Sequence, residues 1–164
     1  MRVERVLLVC TGNTCRSPMA EALLRHLWSE ANPGWTLTVQ SAGTWALPGM
    51  GASRNAVEAM RRKGLDLSQH KAQPAAPELL AQADLVLTMT AHHKEQVLAA
   101  APSTQGRVFT LAEFAGSGAD VPDPFGGSLA DYERTAETLE QLLKRVVERI
   151  AKEGKSEDES GHRV

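Results

Sequence analysis

The 164-residue chain is short of the features that mark several function classes. Positive charge is not in excess: 18 Lys and Arg against 20 Asp and Glu leave a net charge of -2. That balance gives no support for a nucleic-acid partner. No apolar run approaches the ~20 residues of a membrane span, so no membrane partner is expected. The N-terminal apolar stretch is short and reads as a strand, not as a signal peptide. Cysteine is scarce, with only Cys10 and Cys15, both in one segment, which excludes a disulfide scaffold. The pair His92-His93 falls at a helix start, where adjacent residues do not share a face. It reads as solvated surface, and the chain shows no metal-site spacing. No metal or other cofactor is expected. There is also no Gly-Lys-Ser/Thr ending of a nucleotide-binding loop. A cytoplasmic enzyme is the simplest remaining class. One domain is expected at this length, large enough to bury roughly 70% of its unfolded surface.

What the chain does have is Cys10-Thr11-Gly12-Asn13-Thr14-Cys15-Arg16-Ser17. The run Val6-Leu7-Leu8-Val9 before it has the length and branching of a buried strand. After it, Ser17 is a good N-cap and Pro18 a good first helical residue. Ala20, Leu23, Leu24, Leu27 and Trp28 then recur at helical spacing. The loop therefore joins a strand to a helix start, where unpaired N–H groups and the positive end of the helix dipole converge. Gly12 supplies conformational freedom and Asn13 tolerates left-handed geometry, so the loop can curl into an anion-binding nest. Arg16 adds a planar fork that grips two oxygens of a phosphate. Cys10, at the rim of this positive field, is placed to react as a thiolate nucleophile. Singly, a cysteine after a strand is more often a small core residue and an arginine a solvated one; it is their agreement with strand, nest and helix start that carries the reading.

The remaining chain alternates strands and helices. Asn32-Pro33-Gly34 marks a turn, and Trp35 to Ser41 reads as a strand. Ala42 to Gly51 is a loop. Ala52 to Lys63 reads as a helix with Ala56, Val57, Ala59 and Met60 inward, stopped at Gly64. Pro77 to Ala83 and Ala91 to Ala100 read as helices, and Leu85 to Leu87 and Val108-Phe109 as strands. Ser128 to Asp131 resembles a capping box that opens a long last helix. This order implies one α/β domain over residues 1–152: a central four-stranded parallel sheet with helices on both faces and a phosphate-binding loop after the first strand. Residues 153–164 read as a disordered polar tail. Ligands in such sheets bind beyond the carboxyl ends of strands, where the Cys10 loop lies.

The Cys-x5-Arg-Ser pattern at the N-terminus resembles the low-molecular-weight protein tyrosine phosphatases, and the likeness runs from about residue 3 to 150. It is closest to the bacterial protein arginine phosphatases, in which the position of Thr14 carries threonine, where tyrosine-specific members carry an aliphatic residue. The resemblance implies a cysteine-dependent phosphatase acting on phosphorylated proteins and releasing inorganic phosphate. It also implies a role opposing an arginine kinase in bacterial stress control. Thr11, Gly12, Asn13, Thr14, Cys15 and Ser17 would then line or shape the phosphate site. Asp123, in Asp123-Pro124-Phe125, would be the general acid, although Asp-Pro alone is an equally good turn former. Phe125 stands where tyrosine-specific members carry tyrosine. Asn13, Ser17, Ser41 and His70 match residues that keep the loop curled, and Trp45 falls in a loop that walls the cleft. Cys15 matches a redox partner that would form a disulfide with oxidised Cys10. Other readings are a tyrosine phosphatase of the same mechanism, an arsenate reductase and a non-catalytic phosphoprotein-binding module. The arsenate reductase is disfavoured because two cysteines cannot run a longer disulfide relay.

Overall fold

The computed structural model describes residues 2–161. Four parallel strands, β1 (Arg5–Cys10), β2 (Thr38–Gly43), β3 (Leu85–Thr88) and β4 (Val108–Thr110), form one sheet in the order β2-β1-β3-β4. The helices are α1 (Arg16–Ala31), α2 (Arg54–Arg62), α3 (Pro77–Gln82), α4 (Ala91–Ala100), α5 (Leu111–Ala115) and α6 (Leu129–Gly161). Alternation along the strands splits the core in two. Val6, Leu8, Leu85 and Leu87 pack with Leu23, Leu24, Leu139 and Leu143 from α1 and α6. Leu7, Val9 and Val86 pack with Leu80 of α3 and Val97 of α4 on the opposite face. Helices thus cover both faces, as the element order implies.

The chain leaves β1 toward β2 on one side, while β3 flanks it on the other. A crevice therefore opens at the carboxyl end of β1, and Cys10 is its last residue.

Four local expectations need correction. Ser17 is not the N-cap of α1: Cys15 holds that position without a side-chain cap bond, and the Ser17 hydroxyl faces Cys10 instead. Pro18 is tolerated as the third residue of α1, because the first four helical N–H groups lack intrahelical acceptors anyway. Strand β2 starts at Thr38, not Trp35. The Trp35 indole packs edge-on against Trp28, with centroids 5.1 Å apart, and its Nε1–H donates to the Val3 carbonyl at 2.8 Å. Trp35 is thus held as a plug and not as a strand residue. Helix α5 is an element the sequence reading lacks; Thr110 ends β4 and opens α5 through a capping box with Glu113. Finally, α6 runs through Gly161, so residues 153–161 are helical and not a disordered tail. Within it Gly154 lies against Trp35, where an added Cβ would come within 2.4 Å of the indole. The rest of that tail, 162–164, lies outside the described residues. The Ser128–Asp131 cap at the start of α6 is reciprocal, with bonds of 2.9 and 3.2 Å.

Candidate active site

Strand β1 delivers Cys10 buried at the carboxyl end of the sheet, 3% exposed, and the chain then curls before α1 begins at Arg16. Asn13 makes the curl, with φ 57° in the left-handed region that asparagine tolerates. Gly12 does not need its freedom; it has no positive φ, and a Cβ there would meet only Thr14 Oγ1 at 3.7 Å. The indispensable glycine is Gly43. A Cβ on it would fall 2.3 Å from the Thr11 carbonyl oxygen and 3.0 Å from the Asn13 nitrogen, so β2 and the loop approach backbone to backbone.

The Asn13 side chain, fully buried, holds the loop from behind. Its Nδ2 donates to Ser17 Oγ at 2.8 Å and to Ser41 Oγ at 2.9 Å. Its Oδ1 accepts the Gln73 backbone N–H at 3.0 Å. His70 Nε2 donates to the Asn13 carbonyl at 2.7 Å. Gln73 closes the ring by donating from Nε2 to the Ser41 carbonyl at 3.0 Å. The structure thus brings Asn13, Ser17, Ser41 and His70 together in one ring of hydrogen bonds. Gln73, absent from that set, joins them, and only the fold reveals it.

Ser17 Oγ lies 2.9 Å from Cys10 Sγ. A hydroxyl at that distance stabilises a thiolate by donating to it. Arg16 is 5% exposed. Its Nη1 donates to the Val121 carbonyl at 2.9 Å, and its Nη2 lies 3.5 Å from Asp123 Oδ2. Its buried Nε has no acceptor among the described residues. The guanidinium is thus anchored at one end and free to bond an anion at another.

Asp123, 113 positions from Cys10 in sequence, lines the same cavity of about 380 Å³ as Cys10, Thr11, Gly12, Thr14, Cys15 and Arg16. Its Oδ1 accepts the Phe125 N–H at 3.1 Å, which steadies the turn. Trp45 and Phe125 form the rim, 83% and 74% exposed, joined by Leu47 and Met50. Trp45 is tied to the loop by its backbone, donating to the Thr11 carbonyl at 2.9 Å.

Cys15 is buried and unpaired, like Cys10. Its Sγ lies 3.4 Å from both Ser53 Oγ and Tyr132 Oη. Burial, then the Cys15 bond, push the Tyr132 phenol above its usual range, so it stays a donor. His93 contradicts its reading as solvated surface: it is 3% exposed and 2.8 Å from Thr11 Oγ1. Its helix start packs against the loop, and nothing in the local sequence signals that contact.

Among the described residues no helix is long and apolar enough to cross a membrane, and no group of three His, Cys, Asp or Glu could hold a metal ion.

Known proteins resemble this chain over nearly its whole length. The protein-arginine-phosphatase of Bacillus subtilis (strain 168) is 43% identical over 149 residues, covering 90% of this chain and 97% of that protein. A probable low molecular weight protein-tyrosine-phosphatase, EpsP, of Ralstonia nicotianae is 38% identical over 148 residues, covering 90% and 97%. Among solved structures, a YwlE arginine phosphatase, a cysteine-to-serine mutant with a phosphorylated active-site serine, aligns with a TM-score of 0.85 at 42% identity. That alignment covers 89% of this chain and 95% of the other. The tyrosine phosphatase Wzb from Escherichia coli K30, in complex with sulphate, aligns with a TM-score of 0.82 at 32% identity, covering 90% and 99%. The family model for low molecular weight phosphotyrosine protein phosphatases matches residues 5–156, and the chain belongs to that family of cysteine-dependent phosphatases.

Proposed function

We propose that this enzyme hydrolyses phosphoarginine in proteins, working in the cytoplasm. The observation that carries the reaction is the single cavity lined by Cys10, Arg16 and Asp123. Arg16 and the N–H groups of the loop bind the phosphoryl oxygens. The Cys10 thiolate attacks phosphorus, the S–P bond forms and the P–N bond breaks. Asp123 gives its proton to the leaving guanidine nitrogen. The Asp123 carboxylate then takes a proton from water as that water attacks phosphorus. Inorganic phosphate leaves, and the thiolate is restored. The loop donors stabilise charge on the transferring oxygens in both steps. Support for the covalent step comes from the YwlE neighbour, whose serine in place of the cysteine carries phosphate.

Support for phosphoarginine comes from Thr14 on the cavity wall and from the relatives named protein-arginine-phosphatase. A threonine at this wall narrows the pocket and presents a hydroxyl to a flat, polar guanidinium. The exposed aromatic rim of Trp45 and Phe125 favours a second reading, a tyrosine phosphatase of the same mechanism. Initial rates on matched phosphoarginine and phosphotyrosine peptides decide between them, with phosphoarginine expected to be the better substrate. A strong preference for phosphotyrosine overturns the first reading. In either case Cys10→Ser abolishes turnover, and full activity in that variant refutes the covalent route.

A further inference from the structure

The reaction as derived leaves the buried imidazole of His93 without a task. His93 stands at the third position of α4, whose N-cap is Thr90. Its Nδ1 lies 2.9 Å from Thr90 Oγ1, and that hydroxyl also accepts the His93 backbone N–H at 3.2 Å. Its Nε2 lies 2.8 Å from Thr11 Oγ1. Thr11 directly follows the nucleophile and lines the same cavity as Arg16 and Asp123.

The ring is neutral. Burial first, then the Arg16 cation and His92, bring it down to about 4, against the opposing pull of Asp123 and Asp120. A neutral imidazole carries one N–H, so the relay has two forms. With the proton on Nδ1, the Thr90 hydroxyl proton has no acceptor among the described residues, and the Thr11 proton is spent on Nε2. With the proton on Nε2, the Thr90 hydroxyl donates to Nδ1 and Nε2–H donates to Thr11 Oγ1. Each form thus leaves one hydroxyl proton without a protein acceptor, that of Thr90 in the first and that of Thr11 in the second, and only the second turns the spare proton toward the cavity, where a bound phosphoryl oxygen can accept it.

We propose that His93 is a positioning residue that holds the Thr11 hydroxyl with its proton turned into the cavity, where it adds a side-chain donor to a bound phosphoryl group. The proposal rests on reading the cavity as a phosphoryl site. It does not depend on whether arginine or tyrosine carries the phosphate.

Inorganic phosphate is the probe, used with the full chain. In the parent it binds as a competitive inhibitor with a measurable Ki. His93→Ala and Thr11→Val should each raise that Ki about 3- to 10-fold, the range one hydrogen bond commands. The double variant should match Thr11→Val within a factor of about two, because His93 acts only through Thr11. His93→Gln, whose amide reaches the Nε2 position, should restore the parent Ki, whereas His93→Asn, which reaches only the Nδ1 position, should not. Two-bond proton–nitrogen NMR should show the Nε2–H form of His93. An Nδ1–H form, losses that multiply in the double variant, or equal rescue by Asn and Gln each overturn the role of His93. Should His93→Ala fail to fold, the Gln and Asn pair and the NMR spectrum still decide. Failure of the parent to bind phosphate overturns the phosphoryl-site reading itself, which separates the two failures.

Discussion

Replacing Asn13 with alanine tests whether the loop is held by one side chain. Two losses are expected. Alanine at φ 57° incurs the left-handed cost of about 1–2 kcal/mol. It also removes three hydrogen bonds in a fully buried setting, leaving the Gln73 N–H without its acceptor. The serine hydroxyls can rotate toward other partners, so the stranded amide dominates, at about 1–3 kcal/mol. The sum is about 2–5 kcal/mol, or a fall in Tm of roughly 4–20 °C for a chain of this size. Asn13→Gly separates the terms, because glycine accepts the φ and loses only the bonds. It should lie about 1 kcal/mol above the alanine variant. Thermal denaturation followed by circular dichroism measures both, and phosphate inhibition reports the loop. Equal Tm values for the two variants, or losses below about 1 kcal/mol in both, would refute the reasoning.

Gly43→Ala should displace the Thr11 carbonyl, since its Cβ has only 2.3 Å of room. A loss of activity of at least about tenfold in kcat/KM is expected with the fold retained, and unchanged kinetics would count against the close approach. Thr14→Ile should move the ratio of rates from phosphoarginine toward phosphotyrosine peptides, and an unmoved ratio would remove Thr14 from the specificity argument. For His93, a folded value near 4 lies below the usual 6.5, so the unfolded chain binds the extra proton between those pH values. Stability is therefore full above about pH 6.5 and falls by about 1–2 kcal/mol on going from pH 7 to 5. His93→Gln should flatten that part of the pH–Tm profile. After peroxide, the parent should lose two hydrogen atoms by intact mass, as two thiols become one disulfide and peroxide is reduced to water, and it should regain activity with a thiol reductant. Cys15→Ser should lose activity beyond recovery, and equal recovery in both would exclude a Cys10–Cys15 disulfide.

Elements governed by local pattern were legible. The apolar runs of β1 and β3, the span of α4 and the capped start of α6 follow from periodicity and capping residues. Errors arose where a side chain had a distant task. Ser17 looks like an N-cap because serine caps helices, yet its hydroxyl serves Cys10. Trp35 looks like a strand residue because aromatics favour strands, yet it fills a space beside Trp28 and Gly154. Five-residue α5 is too short for a periodic signal, and Thr110 belongs to two elements at once. In the site, Cys10, Arg16 and the loop are contiguous and could be reasoned from one segment. Asp123 needed the family likeness, since 113 residues separate it from Cys10. His93, Gln73 and Gly43 stayed hidden because their roles are contacts across the fold, at sequence separations that no local pattern encodes.

The close backbone approach at Gly43 has an evolutionary reading. The parts that keep the loop curled, Gly43 and the Asn13 ring of bonds, lie behind it and leave no room for variation. The Thr14 side chain faces the cavity and among the described residues has one polar contact, Cys15 Sγ at 3.7 Å, while the Ser53 backbone N–H donates to the carbonyl of residue 14. Residue 14 can therefore change without loosening the machinery that performs the chemistry. A lineage built on this scaffold can try new phosphorylated side chains by single steps at one position, each step starting from a working catalyst.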